Sequence, residues 1–254
     1  MNMPSVMIVG PSAIGKTTAV AQALQPKSTF WLCTEPGALS PMFDPALNHW
    51  GSLPRSVELL SPKDPVKEVR SFLPQIAAEH RSGLVNAVVI DTLSSLADRE
   101  YNYIRLVKGV DESYGRANRA VSLSVCSLLY DLLQIRSLFT VCIAHEKESQ
   151  TIEGRFTPGG PRLAGDLVRS VPAMFDEVLR VAVENRQRII KVDPLDRSFL
   201  TKDRLGVVTD GEALDLRSIF KRMVARANGK PAQAQSVVVT AVPATQTEQP
   251  KAAH

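Results

Sequence analysis

Gly10-Pro11-Ser12-Ala13-Ile14-Gly15-Lys16-Thr17 decides how the rest of the chain is read. It fits G-x-x-x-x-G-K-[ST], a loop whose backbone N–H groups cradle phosphate oxygens. The flanks agree with that reading. Ser5 to Val9 is a short apolar run with strand character, and Lys16 to Leu24 (KTTAVAQAL) has the composition of a helix. A strand turning through glycines into a helix gathers free N–H groups at the positive end of the helix dipole. Gly10 and Gly15 permit close backbone approach, Lys16 reaches the β/γ-phosphates, and the Thr17 hydroxyl is a Mg²⁺ ligand. The nucleotide-binding set is therefore Gly10, Pro11, Ser12, Ala13, Ile14, Gly15, Lys16, Thr17 and Thr18, with ATP and Mg²⁺ as the expected cofactors.

Working outward, Ser28 to Thr34 (STFWLCT) is a second apolar strand, closed by Glu35-Pro36-Gly37. Glu35 thus stands at a strand's carboxyl end, the edge where open α/β sheets bind ligands. Leu84 to Ile90 (LVNAVVI) is a third such run, ending in Asp91-Thr92. An aspartate after apolar β-formers, downstream of a phosphate loop, is the Walker B arrangement, a carboxylate beside the Mg²⁺ site. A further core strand, Leu138 to Ala144, ends at His145.

Between these lie a proline-punctuated loop (Pro41, Pro45, Pro54), a short strand at Val57 to Leu60, and a helix over Asp64 to His80 kinked at Pro74. Helices are also predicted over Ser94 to Lys108, Arg116 to Arg136 and Gly211 to Ala227. The stretch Gly109 to Gly115 breaks the helical pattern. Glu148 to Gly165 is polar, glycine-rich and aperiodic, a long structureless loop of the kind that is usually functional or disordered. Strands follow at Glu177 to Glu184, Arg188 to Val192 and Phe199 to Leu205. Alternation of helices with parallel-type strands, then hairpin-like strands, predicts an α/β fold with a RecA-type core.

Composition sets the outer bounds. The chain has 254 residues, 44% hydrophobic and 22% charged, with a formal net charge of +4. That length suits one α/β domain with some extension. A pI near 9.0 permits nucleic-acid binding without arguing for it. Cys33, Cys126 and Cys142 lack metal-ligand spacing and predict buried thiols in a reducing compartment. No apolar run approaches a membrane span, and Met1 to Ser5 has no basic n-region, so a soluble cytoplasmic protein is expected. Residues 1–227 are assigned to the core. From Asn228 to His254 the composition shifts to Ala, Gln, Thr and Pro, which predicts a disordered tail. Within it Ser236 to Val242 is strand-prone, either a loosely held extension or a strand that augments a neighbouring subunit's sheet.

Taken together, the phosphate loop, Glu35, Asp91 and the segment after the His145 strand resemble the RecA/RadA superfamily. More narrowly, residues ~5 to ~226 resemble the compact phage-encoded RecA-like ATPases of single-strand annealing and recombination. The resemblance implies roles for particular residues. Glu35 aligns and activates the attacking water. His145 stands where the family usually carries a glutamine that senses the γ-phosphate, a departure that leaves a hydrogen-bonding side chain in place. Lys202 and Arg204, in Lys202-Asp203-Arg204, would reach the nucleotide of an adjacent protomer. The two breaks, Lys108 to Arg119 and Lys147 to Arg162, match the DNA-contacting loops. They supply Lys108, Arg116, Arg119, Lys147, Arg155 and Arg162, with Tyr114 and Phe156 as stacking candidates.

The implied partners are single-stranded DNA, a homo-oligomer in ring or filament form, and a single-strand-binding protein, with no membrane. The family's oligomerisation segment before the core has no counterpart ahead of Ser5, so the form of assembly stays open. Two other readings fit the core: a helicase-type or loader ATPase, and a small-molecule kinase closing an arginine-bearing lid over its substrate. A nucleotide-gated annealing protein in which hydrolysis is incidental is a third.

Overall fold

A computed structural model describes residues 3–35, 56–58, 64–152, 155–193, 195–196 and 198–230. The proline-punctuated loop and the tail with Ser236 to Val242 lie outside these residues.

The phosphate-loop strand is β1 (Ser5–Gly10), followed by α1 (Lys16–Ala23). Then come β2 (Thr29–Cys33), β3 (Ser56–Glu58), α2 (Pro65–Ser71), α3 (Leu73–Arg81), β4 (Ala87–Asp91) and α4 (Leu93–Leu106). The second half holds α5 (Arg116–Leu133), β5 (Phe139–Lys147), β6 (Gln150–Ile152), β7 (Arg155–Thr157) and β8 (Gly160–Pro161). It closes with α6 (Leu167–Met174), β9 (Glu177–Glu184), β10 (Gln187–Lys191), β11 (Lys202–Asp203) and α7 (Leu216–Ala227).

The sheet order is β10-β9-β1-β5-β4-β2-β3. Pairings from β9 through β3 are parallel, while β10 and β11 join β9 antiparallel. Strands β1 and β4 are not neighbours; β5 runs between them. Its register sets Gly10 opposite His145 and Asp91 opposite Ile143. That arrangement brings the phosphate loop, the Walker B position and His145 to one edge.

Both faces of the sheet are covered, which is why its strands read as continuous apolar runs. Alternate residues go to opposite layers. Met7, Val9, Phe30, Leu32, Val88 and Ile90 pack with α2 through α6. Val6, Ile8, Trp31, Val89, Val141 and Ile143 pack with α1 and α7, where Phe139 meets Phe220 edge-on at 4.9 Å. A fully buried aliphatic side chain here contributes about 1.5–3 kcal/mol.

Several expectations are corrected. The helix over 64–80 is two helices. Asp64 caps the first through Lys67 N (2.9 Å) and the chain breaks at Phe72, because Pro74 needs a fresh first turn rather than a kink. The stretch 148–165 is not structureless: β6 and β7 form a hairpin and β8 pairs with the end of β5. Gly159 N and O bond to Ser198 O (2.7 Å) and Leu200 N (3.0 Å), tying the segment to the chain before β11. The strand expected over 199–205 shrinks to Lys202–Asp203, and the final helix starts at Leu216, capped by Asp215. Helix α6 was not anticipated; eight residues with Pro172 inside carry little periodic signal.

Candidate functional site

The phosphate loop needs backbone shapes that only some residues tolerate. Gly15 sits at φ +92° as the residue capping α1, and Ala13 also has positive φ (60°). A Cβ on Gly10 would lie 2.8 Å from the carbonyl oxygen of Val181 on β9, so glycine lets that strand close against the loop. Lys16 is buried and its ammonium donates to the carbonyls of Gly10 (2.8 Å) and Pro11 (2.6 Å). Burial lowers its pKa, with Asp91, Glu35 and Glu146 acting against that.

Thr17 Oγ1 donates to Asp91 Oδ1 at 3.3 Å. Asp91 is fully buried, and its Oδ2 meets no hydrogen-bond donor at bonding geometry. Burial pushes the carboxyl up to about 7, opposed by Thr17, Lys16 and, more weakly, the Trp31 indole. An under-satisfied buried carboxylate beside a threonine hydroxyl fits a divalent cation, which would favour its ionised form. No cluster of three His, Cys, Asp or Glu among the described residues could hold a metal alone. That suits Mg²⁺, which typically takes one or two protein ligands and completes its shell with phosphates and water.

Beyond Asp91 a second carboxylate, Glu35, is held firmly. Glu35 Oε2 accepts from Ser95 Oγ (3.0 Å) and Thr92 Oγ1 (3.3 Å), and faces His145 Nε2 at 3.1 Å. None of these contacts uses Oε1. The His145 bond, above all, lowers the pKa of Glu35 and overcomes its burial. An ionised carboxylate whose Oε1 is not engaged by these described partners can align a water and accept its proton.

The imidazole of His145 joins several elements. Its Nδ1 meets Ser12 Oγ in the phosphate loop at 3.1 Å. Its backbone N–H donates to Ser94 Oγ (3.0 Å), and its carbonyl accepts from Arg162 N (2.7 Å) just past β8. Ser12, Ser94 and Ser95 were not anticipated in these roles, since isolated serines leave no pattern in a sequence.

The remaining expected residues are more dispersed. Arg116, Arg119 and Lys147 are exposed. Arg162 bonds Asp98 at 3.1 Å; Lys108 lies 3.6 Å from Asp64 and 5.0 Å from the centre of the Tyr103 ring. Phe156 is exposed; the side chains of Arg155 and Tyr114 lie outside what is described. The two breaks converge, because a Cβ on Gly165 would stand 3.4 Å from Asn118 Cβ at the start of α5.

Lys202 and Arg204 are not brought to their own chain's phosphate loop. Strand β11 pairs with the start of β9 (Lys202 opposite Val178), at the other end of the sheet. There Lys202 Nζ donates to the carbonyls of Ala173 and Phe175, and Arg204 pairs with Asp176 at 3.0 Å.

Fold, loop and strand-end carboxylates define the class, an α/β P-loop ATPase. The chain belongs to the AAA domain family, whose model matches residues 2–205. Membership implies nucleotide binding and hydrolysis. Among solved structures, the crystal structure of the RadB recombinase is similar at 18% identity, covering 74% of this chain and 81% of that one, with a TM-score of 0.45. No curated protein matches. Among the described residues no helix is long and apolar enough to cross a membrane.

Proposed function

We propose that the protein is a Mg²⁺-ATP-dependent, single-stranded-DNA-binding ATPase that promotes annealing or strand exchange in recombination. The observation that carries the reading is the span of His145. One residue touches the phosphate loop through Ser12, the water-aligning carboxylate through Glu35, and the Lys147–Arg162 segment through its carbonyl. A γ-phosphate competing for Ser12 or His145 would be felt at the segment proposed to hold DNA. Asn118, between Arg116 and Arg119, packs against Gly165 just past that segment, and on this reading both breaks contribute to one cationic face. Lys202 and Arg204 then act across a subunit interface, in a ring or short filament, with a single-strand-binding protein as a further partner.

The test is ATP hydrolysis with and without single-stranded DNA, on the wild type, Lys16→Ala and Lys147→Ala/Arg162→Ala. Stimulation by single strands, lost in Lys16→Ala, supports the reading. The double variant should bind DNA more weakly, with a shallower salt dependence by about 0.7 per lost phosphate contact. Hydrolysis indifferent to DNA would overturn it and favour a small-molecule phosphoryl acceptor.

A further inference from the structure

At the edge of the sheet where the parallel strands begin, opposite the phosphate loop, lies a cavity of about 580 Å³ with no part in the scheme above. Residues at the starts of three strands (Thr29, Ala87 and Phe139) form one wall, and α7 forms the other. Helical spacing sets the α7 wall. Arg217, Lys221, Val224 and Asn228 fall at i, i+4, i+7 and i+11, a single face that runs just past the end of the helix.

Floor and rim differ in kind. The floor is apolar, built on the Phe139–Phe220 contact and continued by the partly covered side chains of Met3, Leu24 and Val224. The rim is cationic. Arg217, Lys221 and Lys230 stand exposed around the opening, and among the described residues no carboxylate lines it. Arg217 donates to the carbonyl of Gln22 at 2.7 Å, a bond that orients the guanidinium without cancelling its charge. Among the described residues no ion pair involves Lys221 or Lys230.

We propose that this groove docks an acidic peptide segment of a partner protein. An aromatic or aliphatic side chain of that segment sits against Phe139 and Phe220, and its carboxylates face Arg217, Lys221 and Lys230. The volume lies in the range of ligand sites. An apolar anchor in a desolvated pocket holds the partner, and the charges around it select and steer it. Charge complementarity favours this occupant over others. A second copy related by a two-fold axis would set the same cations against each other. The chain beyond Lys230 carries a single acid, Glu248, and so has no acidic run to offer.

The test is fluorescence anisotropy of a labelled peptide of aspartates ending in leucine and phenylalanine, titrated with the full chain. Wild type is compared with Lys221→Glu/Lys230→Glu, which reverses the rim, and with Ala225→Trp, which fills the cavity and keeps its charge. Both lysines are exposed and Ala225 is half-buried, so the fold should survive, with circular dichroism as the check. Each variant should bind the peptide about tenfold more weakly. A peptide ending in serines should lose about as much against the wild type. Equal affinity in wild type and both variants overturns the proposal. So does a serine-ended peptide that binds as tightly, which would be unspecific attraction to a basic chain. A wild type that binds no peptide also overturns it. If dodecanoate binds instead, the cavity takes a small amphiphile; if Val238→Asp then admits the peptide, the chain's own tail is the occupant.

Discussion

Asp91 and Glu177 are fully buried acids at opposite ends of one sheet, and burial pushes both up, to about 7 and about 8. Their company differs. Asp91 has a hydroxyl at 3.3 Å and the Lys16 ammonium nearby, with one oxygen unsatisfied. Glu177 accepts from Leu205 N at 2.8 Å and also leaves one oxygen unsatisfied, but the charges that act on it most strongly are acids, Asp203 and Asp176. The first site calls for a cation and the second for a proton. A perturbed buried carboxylate is therefore not a functional site by itself, and the charge and hydrogen-bonding capacity around it decide.

The sharpest way to break that contrast is to neutralise each acid. Asp91→Asn should lower Mg²⁺-supported hydrolysis about 100-fold or more, while Glu177→Gln changes it less than about twofold in a steady-state assay. Equal losses would mean that the two ends are coupled. Next, Glu35→Gln should cost about 10²–10⁴ in single-turnover rate with ATP binding retained, since the role proposed for it lies with water and not with phosphate.

Stability against pH gives a smaller effect. The folded chain holds a proton on Glu177 that the unfolded chain releases above about 4.5. Its contribution is full below that pH and is lost as pH rises toward 8. Glu177→Gln should thus melt higher than wild type at pH 8 and no differently at pH 4. The expected gain is several degrees, at about 2–4 °C per kcal/mol for a chain of this size. The smallest effect belongs to Arg204→Ala. Its exposed pair with Asp176 contributes about 0–1 kcal/mol, so melting should barely move. If Arg204 acts across an interface, turnover should fall only under conditions where the chain assembles.

Much of the site was legible because its chemistry sits at the ends of apolar runs. Gly10 to Thr17 is contiguous, and Glu35, Asp91 and His145 each stand at or just past the end of an apolar run that had to be buried; β5 itself continues two residues beyond His145. Parallel pairing then carries all of them to one edge, a step that follows from fold class. What was hidden is what distance in sequence hides. Ser12 meets His145 across 133 positions, and Arg188 reaches Gly15 from a hairpin that reads as ordinary edge strand. The β6–β7 hairpin was missed because three-residue polar strands show no alternation.

The bonds of His145 also have a sense of direction. With Glu35 ionised, the ring nitrogen facing it must carry hydrogen, so in the neutral ring Nδ1 is an acceptor and Ser12 its donor. In that tautomer the hydroxyl hydrogen of Ser12 points at the ring, and the ring's own hydrogen points at Glu35. A phosphate that takes the Ser12 hydrogen for itself would break the first link and leave the second intact. The imidazole would then be tethered at one end only, like a gate released from its latch while still hung on its hinge, and that hinge is the carboxylate proposed to line up the water.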